Sequence, residues 1–468
     1  MSPPWSGVYE SLQNGNLGIP PTSPVGTILA VGPCSLVNTN DVLLYSKADV
    51  KAVRAELGYG DLPERLHDFF ALAGNKAKAI VVPAVKDVAG SFGDLLQSGD
   101  GTAVAEVSGS PTGLFQVLVE IVTGGAAEEA TYRYSYDDGA NWSSPIATPA
   151  LGVAVDIGPT GAKLTWADTY PSEASFVAGD EYAFVCSPPS CSLSSLLDAL
   201  SAGAETKLPF EYACVFTGTG YATWTGLEAW GDDLFAAHRQ VRILTEVPIA
   251  DAEVPEAQIA MMNSYNKGDR VSITAGFGPV LDMYGKQMTR GISGLVAGLI
   301  AARPVQRSIG EAAYCQMSPL LGLHKGFTDA ILQALNGLRY IVPRQYEGKS
   351  GFYVNNGNVA CQDTSDYQDI ETVRVFDNVI RAVRLTALNF VHSTVNSVDG
   401  VADPAGLKGL EGACQGTLGG LSATFSSARI TIPEGQDVLT RQGIDATISI
   451  IKKGYLKEIN LAFGLVKF

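Results

Sequence analysis

The chain has 468 residues, of which 46% are hydrophobic and 17% charged, and it carries a formal net charge of −16. This is the composition of a globular chain long enough for about two to four domains. The acidic balance argues against a surface built chiefly to bind nucleic acid.

Seven cysteines are scattered without a Cys-x-x-Cys pair, which fits reduced, mostly buried thiols in a cytosol. The opening Met1-Ser2-Pro3-Pro4-Trp5-Ser6-Gly7 has neither the basic lead nor the apolar run of a signal peptide. The most apolar helical stretch, 293–302, is too short to span a bilayer, so no membrane insertion is expected.

Residues 1–24 are rich in Pro, Gly, Ser and Asn and read as an extended arm. A strand is predicted at 25–31, helices at 47–57 and 62–73 around Gly58-Tyr59-Gly60, and a strand at 79–82 ended by Pro83. This begins a β-α-β unit. From about 88 to 190 helical periodicity disappears. Phe115, Val117, Val119 and Ile121 alternate, as do Tyr132, Tyr134 and Tyr136, and short strands are expected near 153–157, 162–166 and 181–186. Short strands between Gly-rich turns predict a β-sandwich or barrel. Because α/β patterning resumes afterwards, this unit reads as an insertion. Within it, the run from Ser135 through Asp137 and Gly139 to Asn141-Trp142 resembles the Asp-box turn of sialidases, a structural hairpin there. It occurs once, without the repeats of a propeller.

Helices at 193–202, 224–239 and 255–265 then alternate with strands at 210–216, 241–244 and 271–275. That is doubly wound patterning. A helix of small residues begins after Gly291. Strands are expected at 339–342 and 352–354, the second closed by Asn355-Asn356-Gly357 turn chemistry. A long helix over 367–391 follows, with Ser365 or Asp366 as its cap. Ile370, Val373, Phe376, Ile380, Val383, Ala387 and Val391 form its apolar stripe. Its other side carries Glu371, Arg374, Asp377, Arg381 and Arg384, with Asp377 and Arg381 spaced to pair. A Gly-rich helix at 403–418 and strands at 429–432 and 444–451 come next. After Lys452-Lys453-Gly454 a last strand is predicted over 455–465, with Ile459, Leu461, Phe463 and Leu465 on one face.

Enzyme-like signals are weak. Gly218-Thr219-Gly220 follows a strand, and Glu246 ends the next one, where a ribose-binding acid would stand. Thr223, however, replaces the third glycine of a dinucleotide fingerprint. Gly348-Lys349-Ser350 lacks the first glycine of a phosphate loop and leads into a strand, so it reads as a loop. His67, His238, His324 and His392 have no ligand spacing, and no nucleophile elbow is present. No catalytic, cofactor-binding or metal residues are assigned, and no enzyme activity is expected.

The order of parts from Leu335-Asn336-Gly337 through the Gly351-Phe352-Tyr353 strand and Ser365-Asp366 to Arg374-Val375-Phe376-Asp377 resembles the C-terminal region of contractile tail sheath proteins. Such proteins occur in phages and related injection machines. The early run Leu66-His67-Asp68-Phe69-Phe70, the Gly74 turn and Ile80-Val81-Val82 are similar to the start of that family. So is the helix after Gly291, with Ile292 where the family has Pro. Asn356-Gly357-Asn358-Val359-Ala360 stands where many sheaths carry a Trp-Gly-Ala-Arg-Thr-like segment, which marks a divergent branch.

The resemblance implies a subunit that stacks with copies of itself as sixfold rings around an inner tail tube, between baseplate and tail terminator proteins. It would be a component of a virion tail or equivalent particle, assembled in the bacterial host cytoplasm. The expected architecture is a linking arm (1–24), a doubly wound-like α/β core (25–87 plus 191–344) and an inserted, surface-exposed β domain (88–190). A C-terminal α+β sheath domain (345–454) and a strand or arm (455–468) complete it. Trp5, Tyr9, Ile459, Leu461, Phe463 and Leu465 are the candidate inter-subunit linkers. Arg374, Arg381 and Arg384 are candidate contacts to the tube or a neighbour. Two rival readings are a Rossmann-like nucleotide-binding oxidoreductase and a carbohydrate-binding surface protein built on the β insertion.

Overall fold

The computed structural model describes residues 24–172, 175–249, 254–282, 284–462 and 464. Trp5, Tyr9, Phe463 and Leu465 lie outside these residues.

A six-stranded sheet organises the molecule. Its order is Val271–Thr274, Arg242–Glu246, Tyr212–Gly218, Thr27–Gly32, Lys78–Pro83 and Leu43–Ser46. All neighbours are parallel except the last pair, in which Leu43–Ser46 runs antiparallel to Lys78–Pro83. Strands such as Thr27–Gly32 are buried along their whole length, as expected when both faces are covered. Ile28, Ala30, Cys214 and Phe216 face one core, while Leu29, Val31, Ala213 and Val215 face the other. The strand order reverses between Thr27–Gly32 and Tyr212–Gly218, the place where open α/β sheets present a ligand crevice.

Helix Asp61–Leu72 covers one face and crosses helix Ser293–Ala302 closely. Small residues make the approach possible. A Cβ on Gly294 would stand 2.4 Å from the Arg65 carbonyl oxygen, and one on Gly298 would stand 2.7 Å from that of Phe69.

Between Pro83 and helix Leu193–Glu205 the chain forms two antiparallel sheets, one around Phe115–Thr123 and Glu181–Ser187, the other around Val104–Gly109 and Ala162–Ala167. Alternate residues Phe115, Val117, Val119 and Ile121 meet Trp166, Tyr182 and Phe184 in a separate core. Met288, from the hairpin Phe277–Leu281/Gln287–Gly291, joins that core, and Tyr59 packs edge-on against Phe115 at 5.9 Å. Asp137 organises the Ser135–Trp142 turn. Its carboxylate accepts from the Ser135 hydroxyl and from the backbone and side-chain amides of Asn141.

The long helix forms as Ile370–Leu388. Ser365 and Asp366 do not cap it. The N-cap is Asp369, because residues 357–359 pair with 368–370 and hold the chain extended up to that point. The Ser365 hydroxyl is instead donated to Asp269, at 2.8 Å. Val375, Val379 and Val383 pack with Cys414 and Leu418 of helix Pro404–Gly420 and with Ile430 of the hairpin Ser427–Thr431/Thr447–Ile451. Among the described residues, the strand expected over 455–465 is not formed: residues 452–462 pair with no other strand. A strand exists only with a partner for its backbone groups, and this one finds none within the described chain.

Candidate functional site

Two buried charge networks clamp the sheet, one at each end of its parallel strands. At the carboxyl end, Glu246 finishes its strand in the crevice. The Arg65 guanidinium donates to it from Nε at 3.1 Å and Nη2 at 2.9 Å, and the Ser293 hydroxyl donates at 2.6 Å. Gly291 leaves the room: a Cβ there would lie 2.2 Å from the Glu246 carboxylate. Arg290, wholly buried, pairs with Glu64 and Asp68, each at 2.9 Å. Burial pushes the Asp68 carboxyl up to about 6, against the pull of Arg290 and Arg65. Burial pushes His67 down to about 3, with Arg54 and Arg290 adding to the effect, so its ring stays neutral at neutral pH.

Among the described residues, the chain's own groups occupy this crevice. Glu246, which stands near where a ribose-binding acid would, is engaged by Arg65 and Ser293. The Thr219 N–H donates to the Glu246 carbonyl and the Thr219 hydroxyl accepts from Trp224 Nε1 at 2.8 Å. Pro248 fills the space over Gly218, where a Cβ would approach it to 2.6 Å.

At the amino end, the sheet grips the long helix. Asp377 accepts from Arg242 Nε at 2.7 Å and Nη2 at 2.8 Å. Arg374 donates to Glu211 from Nε at 2.6 Å and Nη2 at 3.1 Å, and also to the Arg303 carbonyl. The face expected to be basic and outward is therefore an internal joint at Arg374, which is 1% exposed. Arg381 donates to the Gln240 carbonyl at 3.3 Å rather than pairing with Asp377. A bidentate guanidinium across the fold outcompetes a one-turn neighbour on the helix. Arg384 is half-buried and lies outside these pairs.

The C-terminal segment behaves differently. Tyr455 donates its hydroxyl to the Gln306 carbonyl at 3.0 Å, and Lys457 pairs with the Asp369 carboxylate at 2.8 Å. Within and beyond this root the apolar side chains Leu456, Ile459 and Leu461 face solvent, at 89%, 69% and 71% exposed. The sequence-derived linkers Ile459 and Leu461 are thus available on the surface, although not in a strand. Sequence reasoning missed Glu211, Arg242 and Lys457, whose partners are far away along the chain.

Comparison with known proteins places this arrangement. Residues 5–358 match the DUF2586 N-terminal domain and residues 366–467 the DUF2586 C-terminal domain. A tail sheath protein of Haemophilus phage HP1 (strain HP1c1) is 32% identical over 122 residues, 23% of this chain and 32% of that relative. The matched stretch therefore spans about a third of the relative's length. Among solved structures, the PVC sheath complex of an extracellular contractile injection system, in its contracted state, has a TM-score of 0.54 at 11% identity. The similarity covers 99% of this chain and 98% of that one. A chain of the sixfold-symmetrised baseplate of the anti-feeding prophage has a TM-score of 0.53 at 12% identity, covering 100% of both chains.

Proposed function

The chain belongs to the DUF2586 family, and we propose that it is the sheath subunit of a contractile tail. The observation that carries this reading is the likeness of the fold along 99% of the chain to a contractile-injection sheath. The phage tail sheath relative supports it. In this reading the subunit is a structural part and not an enzyme. The filled crevice beside Glu246 agrees with that role.

Copies stack as sixfold rings around an inner tail tube, start from a baseplate and end at a terminator protein. The particle is a virion tail or an equivalent injection device, assembled in the host cytoplasm. The sheet and the long helix, joined by the Arg242–Asp377 and Arg374–Glu211 pairs, move as a rigid piece. The terminal segments, including Trp5, Tyr9, Ile459, Leu461, Phe463 and Leu465, link that piece to its neighbours by adding strands to their sheets. Repeated in every subunit, such weak links give a continuous mesh. Contraction is then a change of interfaces between unchanged bodies, driven by free energy stored at assembly. Arg384 is the remaining cationic candidate for a contact to the tube or a neighbour.

Electron microscopy of the purified full chain at rising concentration, alone and with tube protein, tests this. Stacked rings or tubes are expected. A monomer under both conditions contradicts the sheath reading.

A further inference from the structure

The β insertion is joined to the core by two chain crossings, residues 84–90 and 188–192. They run side by side, and Val88 and Ser190 exchange backbone hydrogen bonds. Two adjoining crossings alone leave a domain free to swing about them. A third connection comes from the core and is not covalent. The hairpin Phe277–Leu281/Gln287–Gly291 puts Met288 into the hydrophobic core of the insertion, where it is 6% exposed. The Lys286 ammonium stands 4.0 Å from the centre of the Tyr136 ring, which packs edge-on with Phe115 at 5.9 Å. Arg54, from helix Val50–Leu57, holds the turn of the hairpin. Its guanidinium lies over Tyr59 at 4.2 Å and over Tyr284 at 5.4 Å, and it faces the Asp282 carboxylate at 3.7 Å. Asp282 closes the turn by accepting from the Tyr284 and Lys286 N–H groups, each at 2.8 Å.

The root of the hairpin sits in the buried network of the sheet's carboxyl end. Arg290 pairs there with Glu64 and Asp68, and Gly291 lies against the Glu246 carboxylate that Ser293 also binds. Residues two apart on a strand share a face, and the Arg290 guanidinium touches the Met288 sulfur at 3.7 Å. We propose that this hairpin is a key that locks the β insertion in one orientation on the core, with Glu64, Asp68, Arg290 and Glu246 as its seat. Met288 couples the key to the insertion by packing. Arg290 couples it to the core through charge-assisted hydrogen bonds of fixed direction. The insertion therefore turns with the core and does not swing on its two crossings. This locking does not depend on what the chain assembles into.

Double electron–electron resonance on the full chain tests the key. Nitroxide labels are carried on non-natural side chains at exposed Lys51 of the core and exposed Ser144 of the insertion, so the seven cysteines stay untouched. A single narrow distance is expected with no further substitution. Met288→Ser should broaden it by loosening the key in the insertion. Arg54→Ala combined with Lys286→Ala should broaden it through the lost cation contacts, and this pair decides alone if Met288→Ser does not fold. Glu64→Gln, Asp68→Asn and Arg290→Met together empty the seat of charge without leaving a partner facing a lone charge. That triple change should also broaden the distance, although none of the three residues lies in the insertion. Gln287→Ala, exposed on the same hairpin, should leave it narrow. A broad distribution in the chain without these substitutions overturns the proposal, as does a narrow one in the folded Arg54→Ala/Lys286→Ala chain. A narrow distance in the folded triple variant overturns the seat.

Discussion

The central sheet and the C-terminal hairpin use their edges in opposite ways. Around the sheet, three charges buried at the ends of two neighbouring strands already have their partners: Glu246 with Arg65, Arg242 with Asp377, Glu211 with Arg374. At the hairpin, one edge is held by Gln415, the other is open, and the adjoining segment exposes Leu456, Ile459 and Leu461. The first region is finished within one chain, while the second has bonding groups left for another. A part that must keep its shape while its neighbours shift needs both.

The largest effect is expected where the joint between these regions is cut. Asp377→Ala leaves the Arg242 guanidinium buried without its carboxylate, and a loss of about 3–5 kcal/mol is expected in urea unfolding. A loss below about 1 kcal/mol would mean that the joint is not a structural clamp. Overpacking of the helix crossing comes next. Gly298→Ala forces a methyl against the Phe69 carbonyl and should cost about 1–3 kcal/mol, read from the same unfolding curves.

A pH effect of smaller size belongs to Asp68. Its folded pKa lies near 6, above the usual 3.8, so the folded chain holds a proton that the unfolded chain has released between those values. The stabilisation from this group is present below its ordinary pKa and fades as pH rises toward about 6. Asp68→Asn should flatten the pH dependence of the urea midpoint across that window, and an unchanged slope would remove Asp68 as its source.

The smallest effect on folding is expected at the arm. Ile459→Ser should change stability by less than about 0.5 kcal/mol, as for an exposed site, yet weaken association seen by light scattering.

The sequence made the layered architecture readable through particular residues. Alternation at Phe115, Val117, Val119 and Ile121 marked a sheet face, and these side chains do share one core. The doubly wound alternation after 192 placed the parallel strands, since buried parallel strands are apolar throughout. The antiparallel edge strand Leu43–Ser46 escaped notice because four residues carry too little pattern. The charged side of the long helix misled for a different reason. Periodicity shows which residues share a face, not what that face meets, and Glu211 lies 163 positions from Arg374. The alternation over 455–465 predicts a strand, but alternation supplies a face and not a partner.

The most direct test of this contrast is a chain ending at Gly454, compared with the full chain in thermal unfolding and by electron microscopy side by side. The account predicts that the shortened chain melts within a few degrees of the full one and remains monomeric at concentrations where the full chain forms rings. Rings from the shortened chain, or its failure to fold, would contradict the division into a finished body and a linking arm.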